Sequence, residues 1–238
     1  MVGFLFIFAI SITGEELLSK IDSVSRYPHS IGMFEQTIIT TSGKRRTFRI
    51  KSFTKDGNDK QIMVYLFPPQ VRGDAFLIKG NDVWAYFPET GRIRKIASHT
   101  KKQKMMGSDF TYEDMTIGTY KENFRPDQPE EKSGYYILTL YPAKGSDISY
   151  DKLVLTVDKN TFIPVKIDFY RKGDNQPYKT LLQEDIKVVD GIPTPMRIIM
   201  KNNITGSSTE IRMLNIDYKT PVDEKMFSPE KLREVSEE

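Results

Sequence analysis

Two predicted strands, residues 62–67 and 83–87, are apolar on both of their faces, and this feature limits the folds that the chain can adopt. They belong to a run of four short strands, residues 62–67, 75–79, 83–87 and 92–97. Proline- and glycine-rich turns separate these strands, and turns this short join antiparallel neighbours. Successive side chains of a strand point to opposite sides, so a sheet with one wet face alternates apolar and polar residues. Residues 62–67 and 83–87 do not alternate, and both faces of the sheet must therefore be covered.

Different layers could provide this cover. One face could pack on a core helix, while the other would need a second layer, a partner or an apolar ligand. A two-layer sandwich would produce the same pattern.

The remaining chain predicts more strands of the same kind. They are residues 33–41, 45–53, 135–141, 152–158, 163–170, 178–188, 195–202 and 210–218. The first six of about twelve strands follow one another through tight turns, which favours a curved antiparallel sheet or a barrel. Apolar residues at helical spacing predict a helix over residues 15–25, and Ser228 with Pro229 predicts another through residue 235. No linker or repeat divides residues 15–238, so we expect one domain.

The N-terminal residues 1–14 are interpreted as a signal peptide. Residues 2–13 are an uncharged apolar run that is too short for a transmembrane helix of about 20 residues. Their length and position are typical of the apolar core of an export signal. An uncleaved N-terminal anchor is the alternative.

Composition and motifs exclude several classes of function. The 238 residues include no cysteine, which excludes disulfides, thiol catalysis and thiolate metal sites. The net charge of +3 does not favour a nucleic-acid partner. Only two histidines occur, in predicted loops, and no nucleophile–base motif is present, so we expect no enzyme activity and no cofactor.

Acidic residues follow a methionine-rich stretch at residues 105–106. Asp109, Glu113 and Asp114 could hold a hard cation, but their spacing is not that of a calcium-binding loop. A short helix with Ser108 or Asp109 as its N-cap explains them equally well. We therefore expect no metal site.

Basic residues are densest between positions 92 and 104. The predicted patch comprises Arg92, Arg94, Lys95, Lys101, Lys102 and Lys104. It could contact anionic lipid head groups or an acidic partner. A solvated loop would have the same composition.

Several motifs of the chain resemble those of one known family. The looser motifs are residues 34–37 (FEQT), 77–88 (LIKGNDVWAYFP), 220–223 (TPVD) and 227–229 (FSP). The more specific ones are residues 68–73 (PPQVRG) and 106–114 (MGSDFTYED). With these motifs the chain resembles the LolA-like superfamily of periplasmic carriers, in the subgroup of outer-membrane lipoprotein-sorting proteins.

The resemblance implies a mainly β (α+β) fold and a carrier function. The fold would be a single unclosed antiparallel β-barrel, or half-barrel, of about eleven strands, with short helices that cap an apolar cavity. The protein would carry or bind acyl chains of a lipoprotein or lipid in the periplasm, without catalysis. An inner-membrane transporter or an outer-membrane acceptor could be its partner, and we expect a monomer.

The resemblance also turns the second apolar face into a ligand surface. For this cavity we predict Met63, Tyr65, Phe67, Phe76, Ile78, Trp84 and Tyr86. A lid would contain Arg72, Met105, Met106 and Phe110, because methionine suits a surface that accepts varied chains. An arginine after the third strand helps to hold the lid closed in the carriers, although here Pro68 and Pro69 precede Arg72. A one-residue error in the frame of a strand would exchange its two faces.

A protein-binding function is the alternative hypothesis. The chain would then be an envelope interaction module for stress sensing or an accessory of the export machinery. The basic patch would dock its partner, and side chains would fill the cavity.

Overall fold

The computed structural model describes residues 11–24, 26–57, 59–117 and 119–237. Most of the predicted signal peptide, residues 1–14, lies outside these ranges, so its identity stays a prediction. Within the described ranges, no helix combines the length and the apolar character needed to cross a membrane.

Fourteen antiparallel strands form one sheet in the described part of the chain. The strands of the first half are β1 (His29–Ile39), β2 (Arg45–Lys55), β3 (Lys60–Phe67), β4 (Ala75–Lys79), β5 (Asp82–Phe87) and β6 (Arg92–Lys95). Those of the second half are β7 (Phe124–Pro126), β8 (Glu130–Lys132), β9 (Tyr135–Pro142), β10 (Lys152–Asp158), β11 (Pro164–Tyr170), β12 (Lys179–Val189), β13 (Ile192–Asn202) and β14 (Ser208–Asp217). The described helices are α1 (Gly14–Val24), α2 (Tyr112–Met115), α3 (Tyr120–Asn123) and α4 (Leu232–Glu237).

The strand order confirms the predicted unclosed sheet. It runs β6-β5-β4-β3-β2-β1-β14-β13-β12-β11-β10-β9-β7, with β8 also paired to β9. The pairing of β1 with β14 joins the two halves, while β6 and β7 end the sheet and do not pair with each other. Two strands that the sequence did not predict, β7 and β8, are only three residues long.

Turn chemistry fixes the register of the hairpins. Asp190 and Gly191, which join β12 to β13, have φ values of 51° and 84°. Two consecutive residues with positive φ form the two-residue turn whose twist matches that of the flanking strands. This turn aligns Val189 with Ile192 and sets the faces of both strands.

The C-terminal segment covers the outer face of the first half of the sheet. Its side chains Phe227, Leu232 and Val235 are buried. They share one apolar cluster with Ile62 and Val64 of β3. One of the two apolar faces that the sequence indicated is therefore covered by the C-terminal segment with its helix, which is one of the covers that the sequence left open.

Helix α1 packs on the inner face of the second half. Leu17, Leu18 and Ile21 are fully buried in a cluster with Leu140 and Leu153. A Cβ atom on Gly14 would lie 2.2 Å from the carbonyl oxygen of Asp127, so the start of the helix needs glycine to approach this close. Helix α1 does not belong to the apolar cluster on the inner face of the first half of the sheet.

Candidate functional site

The inner face of the curved sheet encloses a cavity of about 320 Å³. Side chains from both halves of the sheet line it, and most of them are apolar. The apolar lining residues on strands are Phe34, Ile50, Met63, Tyr65, Ile167, Leu181, Ile198, Ile211, Met213 and Ile216. Strand pairing explains why they meet: Ile50 is paired with both Phe34 and Tyr65, so all three point inward.

Residues 105–117, here called the roof, cover part of the cavity. Met105, Phe110 and Met115 of the roof line the cavity. Met105 and Phe110 are buried, and Met106 is partly buried against the same cluster as Met63. The structure thus places three of the four predicted lid residues in the roof.

Helix α2 lies within the roof and begins two or three residues later than predicted. Its N-cap is Thr111, whose side chain accepts a hydrogen bond from the Asp114 backbone N–H (3.2 Å). The Asp114 carboxylate in turn accepts from the Thr111 backbone N–H (2.7 Å), which completes a capping box. The predicted N-caps are wrong, because Ser108 ends the preceding 3₁₀ turn and Asp109 bonds elsewhere.

Asp109 anchors the roof to the sheet. Its buried carboxylate accepts hydrogen bonds from Ser207 Oγ (2.7 Å) and Thr209 Oγ1 (3.1 Å) at the β13–β14 hairpin. It also pairs with Lys104 Nζ at 2.7 Å. Thr209 Oγ1 accepts from the Asp109 backbone N–H (2.8 Å), so the attachment uses both the side chain and the main chain.

Asp114 forms a second anchor through a buried ion pair. Its carboxylate pairs with Lys179, whose side chain is almost fully buried, and accepts from the Tyr150 hydroxyl at 2.5 Å. Lys179 Nζ lies 4.9 Å from the centroid of the Phe169 ring and 5.2 Å from that of Tyr150. Burial, followed by the charge of Asp114, raises the pKa of Tyr150, so its hydroxyl stays protonated and donates.

Glu113 forms a third anchor. Its two carboxylate oxygens accept from the backbone N–H and the hydroxyl of Ser149, each at 2.6 Å. The three acidic residues that raised the possibility of a metal site are thus bonded to protein groups. In the described ranges, no cluster of histidine, aspartate or glutamate suits a metal ion.

A smaller cavity of about 270 Å³ adjoins the first and opens to the surface. The two share seven lining residues, which are Gln61, Phe110, Met115, Tyr120, Ile167, Leu181 and Gln183. This second cavity, here called the mouth, also has the charged residues Asp22, Arg26, Asp56 and Asp114. Asp22 caps α3, since its carboxylate accepts the backbone N–H groups of residues 120 and 121 at 2.9 and 3.0 Å. Burial raises the pKa of Asp22.

The structure divides the predicted cavity residues between the two faces. Met63 and Tyr65 line the cavity, and Phe76 and Ile78 belong to the same inner cluster. Phe67 lies beyond a register shift between β2 and β3 and is 51% exposed.

The placement of Trp84 and Tyr86 in the cavity is wrong. Ala85 is the partner of Phe76, so Ala85 points inward while Trp84 and Tyr86 point outward. Both pack in the outer cluster with Phe227. Because β5 is apolar on both faces, its sequence could not fix which face was inner.

Arg72 lies outside the roof. It is exposed and ends the 3₁₀ turn Pro69–Val71, where its backbone N–H donates to the Pro69 carbonyl at 3.3 Å. Within the described ranges, its side chain forms no ion pair or hydrogen bond. The predicted role of Arg72 in closing a lid therefore has no contact to support it.

The predicted basic patch does not form one free surface. Lys101 is only 7% exposed and pairs with Asp147 (3.3 Å), while Lys104 is engaged by Asp109. Lys95 pairs with Asp82 at 2.7 Å. Arg92, Arg94 and Lys102 are exposed, but the two arginines lie on the edge strand β6 and Lys102 lies near the roof.

The residues that line the cavity from the second half of the sheet were not predicted from the sequence. Ile211 and Met213 point into the cavity from β14. Glu210 and Arg212 flank Ile211, and this alternation is a signal that would have placed Ile211 and Met213 on the inner face.

Comparisons with known proteins support the same fold family. A family model described as "Uncharacterized protein" matches residues 57–234, more than half of the chain. A DUF1329 family protein from Desulfovibrio piger has 27% identity and a TM-score of 0.83, over 92% of this chain and 97% of its own. A LolA superfamily protein from Nitrosomonas europaea has 21% identity and a TM-score of 0.74, over 92% of this chain and 98% of its own. The chain belongs to the family of the matched model, and it has the fold of these solved structures.

A further similar structure is named for lipoprotein sorting. The putative outer membrane lipoprotein-sorting protein domain from Vibrio parahaemolyticus has 24% identity and a TM-score of 0.80, over 91% of this chain and 97% of its own. No curated protein matches the sequence. The resemblance inferred from the motifs is confirmed, and the LolA-like sheet accounts for the shape of the cavity.

Proposed function

We propose that this LolA-like protein carries an acyl chain of a lipid or lipoprotein in the cell envelope, without catalysing a reaction. The observation that carries the proposal is the cavity of about 320 Å³, lined mainly by apolar side chains and closed by Met105, Phe110 and Met115. This volume is at the lower end of the range of about 300–1,000 Å³ for small-molecule sites, which suits one chain. An unfilled cavity also favours a carrier over the interaction module, whose cavity would be filled.

The energetics of such a cavity suit reversible binding. Each buried methylene contributes about 0.8 kcal/mol, so ten contribute about 8 kcal/mol. This equals the free energy of a micromolar complex before the cost of association is subtracted. A carrier must release its cargo, and an affinity of this order allows release.

The location and the cargo class form part of the proposal. Similar structures are named for the LolA superfamily and for outer-membrane lipoprotein sorting, which supports an envelope location. The predicted signal peptide of residues 1–14 would direct export to the periplasm. An inner-membrane donor and an outer-membrane acceptor remain the proposed partners.

The proposal can be tested by blocking the cavity from one strand. Met213 and Leu214 are neighbours on β14, where Met213 lines the cavity and Leu214 is 51% exposed on the other face. Met213→Trp should fill part of the cavity and exclude two or more methylenes, which weakens binding about tenfold or more. Leu214→Trp introduces the same side chain outside and should bind as the wild type does.

The measurement is calorimetric titration of the purified protein with decanoyl ligands, supported by native mass spectrometry of the protein from its own envelope. Trp84 is not a suitable fluorescent reporter, because it lies on the outer face 5.2 Å from Lys95 Nζ. Absence of any uptake by the wild type would contradict the carrier and favour the interaction module. Equal affinity in both variants would place the binding site elsewhere.

A further inference from the structure

Gln36 has an unpaired polar atom in the middle of the cavity wall. It lies on β1, is 6% exposed and lines the cavity. Its Oε1 is buried and, among the described residues, has no hydrogen-bond partner. Burial of an amide oxygen without a hydrogen bond is unfavourable, and native proteins rarely leave such groups unsatisfied.

Several other polar groups of the cavity have partners. Ser30 Oγ and Thr54 Oγ1 are hydrogen-bonded at 2.6 Å. Gln183 Nε2 donates to the Pro164 carbonyl at 2.8 Å. Ser108 Oγ accepts the Phe110 backbone N–H at 3.2 Å. Gln36 Oε1 differs from these atoms in that it is buried at the cavity without a hydrogen-bond partner among the described residues.

The charge of the cavity wall limits what can bind there. No lysine, arginine, histidine, aspartate or glutamate is among the described residues that line it. A carboxylate or phosphate buried beside Gln36 would have no counter-ion, which carries a large desolvation penalty. Charged groups occur instead at the mouth, where Asp22, Arg26 and Asp56 are found.

We propose, on the basis of the carrier function above, that the cargo has a neutral hydrogen-bond donor next to its buried chain. This donor, an amide N–H or a hydroxyl, donates to Gln36 Oε1. The ligand class is thus an N-acyl amide or a hydroxylated acyl chain whose charged portion stays at the mouth. An ester-linked chain has only acceptors at this position and leaves Gln36 unsatisfied.

Two matched probes isolate this hydrogen bond. N-methyldecanamide and methyl decanoate have the same chain and nearly the same shape, but the amide has an N–H where the ester has an oxygen. We expect the amide-to-ester affinity ratio, measured by calorimetry, to be about five to ten times higher in the wild type than in Gln36→Leu. The comparison of ratios cancels differences in the hydration of the two probes.

Gln183→Leu is the control. It makes the same substitution on the cavity wall at a glutamine whose Nε2 is already engaged. This variant should keep the wild-type ratio. Circular dichroism checks that each variant is folded before titration.

The outcomes separate this inference from the carrier function. If both probes bind and the amide-to-ester affinity ratio is the same in the wild type and in Gln36→Leu, the proposed donor on the cargo is overturned. The carrier function would then still stand. If the amide-to-ester affinity ratio falls in Gln183→Leu as much as in Gln36→Leu, the assignment of the hydrogen bond to Gln36 is overturned. Failure of either probe to bind the wild type would contradict the carrier function and this inference together.

Discussion

Lys179 is a charged residue whose side chain is almost fully buried. Its ammonium group lies among the rings of Phe169, Tyr150 and Tyr178 and pairs with the Asp114 carboxylate of the roof. A sequence cannot reveal such a pair, because the two residues are 65 positions apart. Lysine is rarely buried without a partner, so the pair joins the roof to the second half of the sheet.

Removal of this lysine should destabilise the protein strongly. Lys179→Met leaves Asp114 as an unpaired buried charge, and we expect a loss of about 3–5 kcal/mol in the free energy of unfolding. Denaturant unfolding measures this loss. The exposed pair of Lys95 with Asp82 provides the control, since Lys95→Met should cost at most about 1 kcal/mol.

A double variant provides a second check on the same pair. Asp114→Asn combined with Lys179→Met leaves no unpaired charge and should recover part of the stability lost in Lys179→Met. An equal loss in Lys179→Met and Lys95→Met would contradict the proposed role of the buried pair.

The strands and helices show how far sequence patterns can predict this fold. The predicted bounds of β4 and β10, residues 75–79 and 152–158, match the structure, because turn residues delimit both strands. Strands β7 and β8 were missed, since three residues are too few to show alternation. The faces of β5 were exchanged because both of its faces are apolar, and only pairing with β4 decides between them.

The roof is the element whose attachment can be tested directly. Asp109→Ala removes the charged acceptor to which the Ser207 and Thr209 hydroxyls donate, and each lost hydrogen bond should cost about 1.5–3 kcal/mol. Hydrogen exchange followed by mass spectrometry should show faster exchange of the amides in residues 105–111, while β10 and β11 stay protected.

Asp82→Ala serves as the comparison for the roof experiment. Asp82 and Lys95 form an exposed ion pair between β5 and β6, so the removal of Asp82 should leave exchange in the roof nearly unchanged. A uniform increase in exchange across the sheet of Asp109→Ala would instead indicate that Asp109 supports the whole domain rather than the roof.

At the scale of the whole molecule, the sheet separates two apolar regions. The outer region holds the C-terminal segment, and the inner region holds the cavity and the roof. The sequence predicted this two-sided cover from the apolar strands of the first half. It could not predict the volume of the cavity, because that volume depends on how the two halves curve around the pairing of β1 with β14.

The two regions should respond independently to mutation. Phe227→Ala removes a side chain that is 1% exposed on the outer side, and we expect a loss of about 3–5 kcal/mol in stability. Affinity for a decanoyl ligand should change less than about twofold, since each factor of ten needs about 1.4 kcal/mol at the binding site. Denaturant unfolding and calorimetry measure the two quantities.

Phe67→Ala is the matched control for this variant. Phe67 is 51% exposed, so its removal should change stability much less. A decrease in ligand affinity of Phe227→Ala as large as that of Met213→Trp would contradict the independence of the two regions.

An unclosed sheet also has two free edges, and free edges invite pairing with other chains. The exposed side chains on β6 include Arg92, Arg94 and Lys95, so another strand that approaches this edge meets a row of positive charge. The opposite edge, β7, has Arg125 and then Pro126, which has no backbone N–H to donate. Both features oppose aggregation. The basic residues of β6 thus have a use that requires no partner: they oppose the pairing of this edge with the strand of another chain.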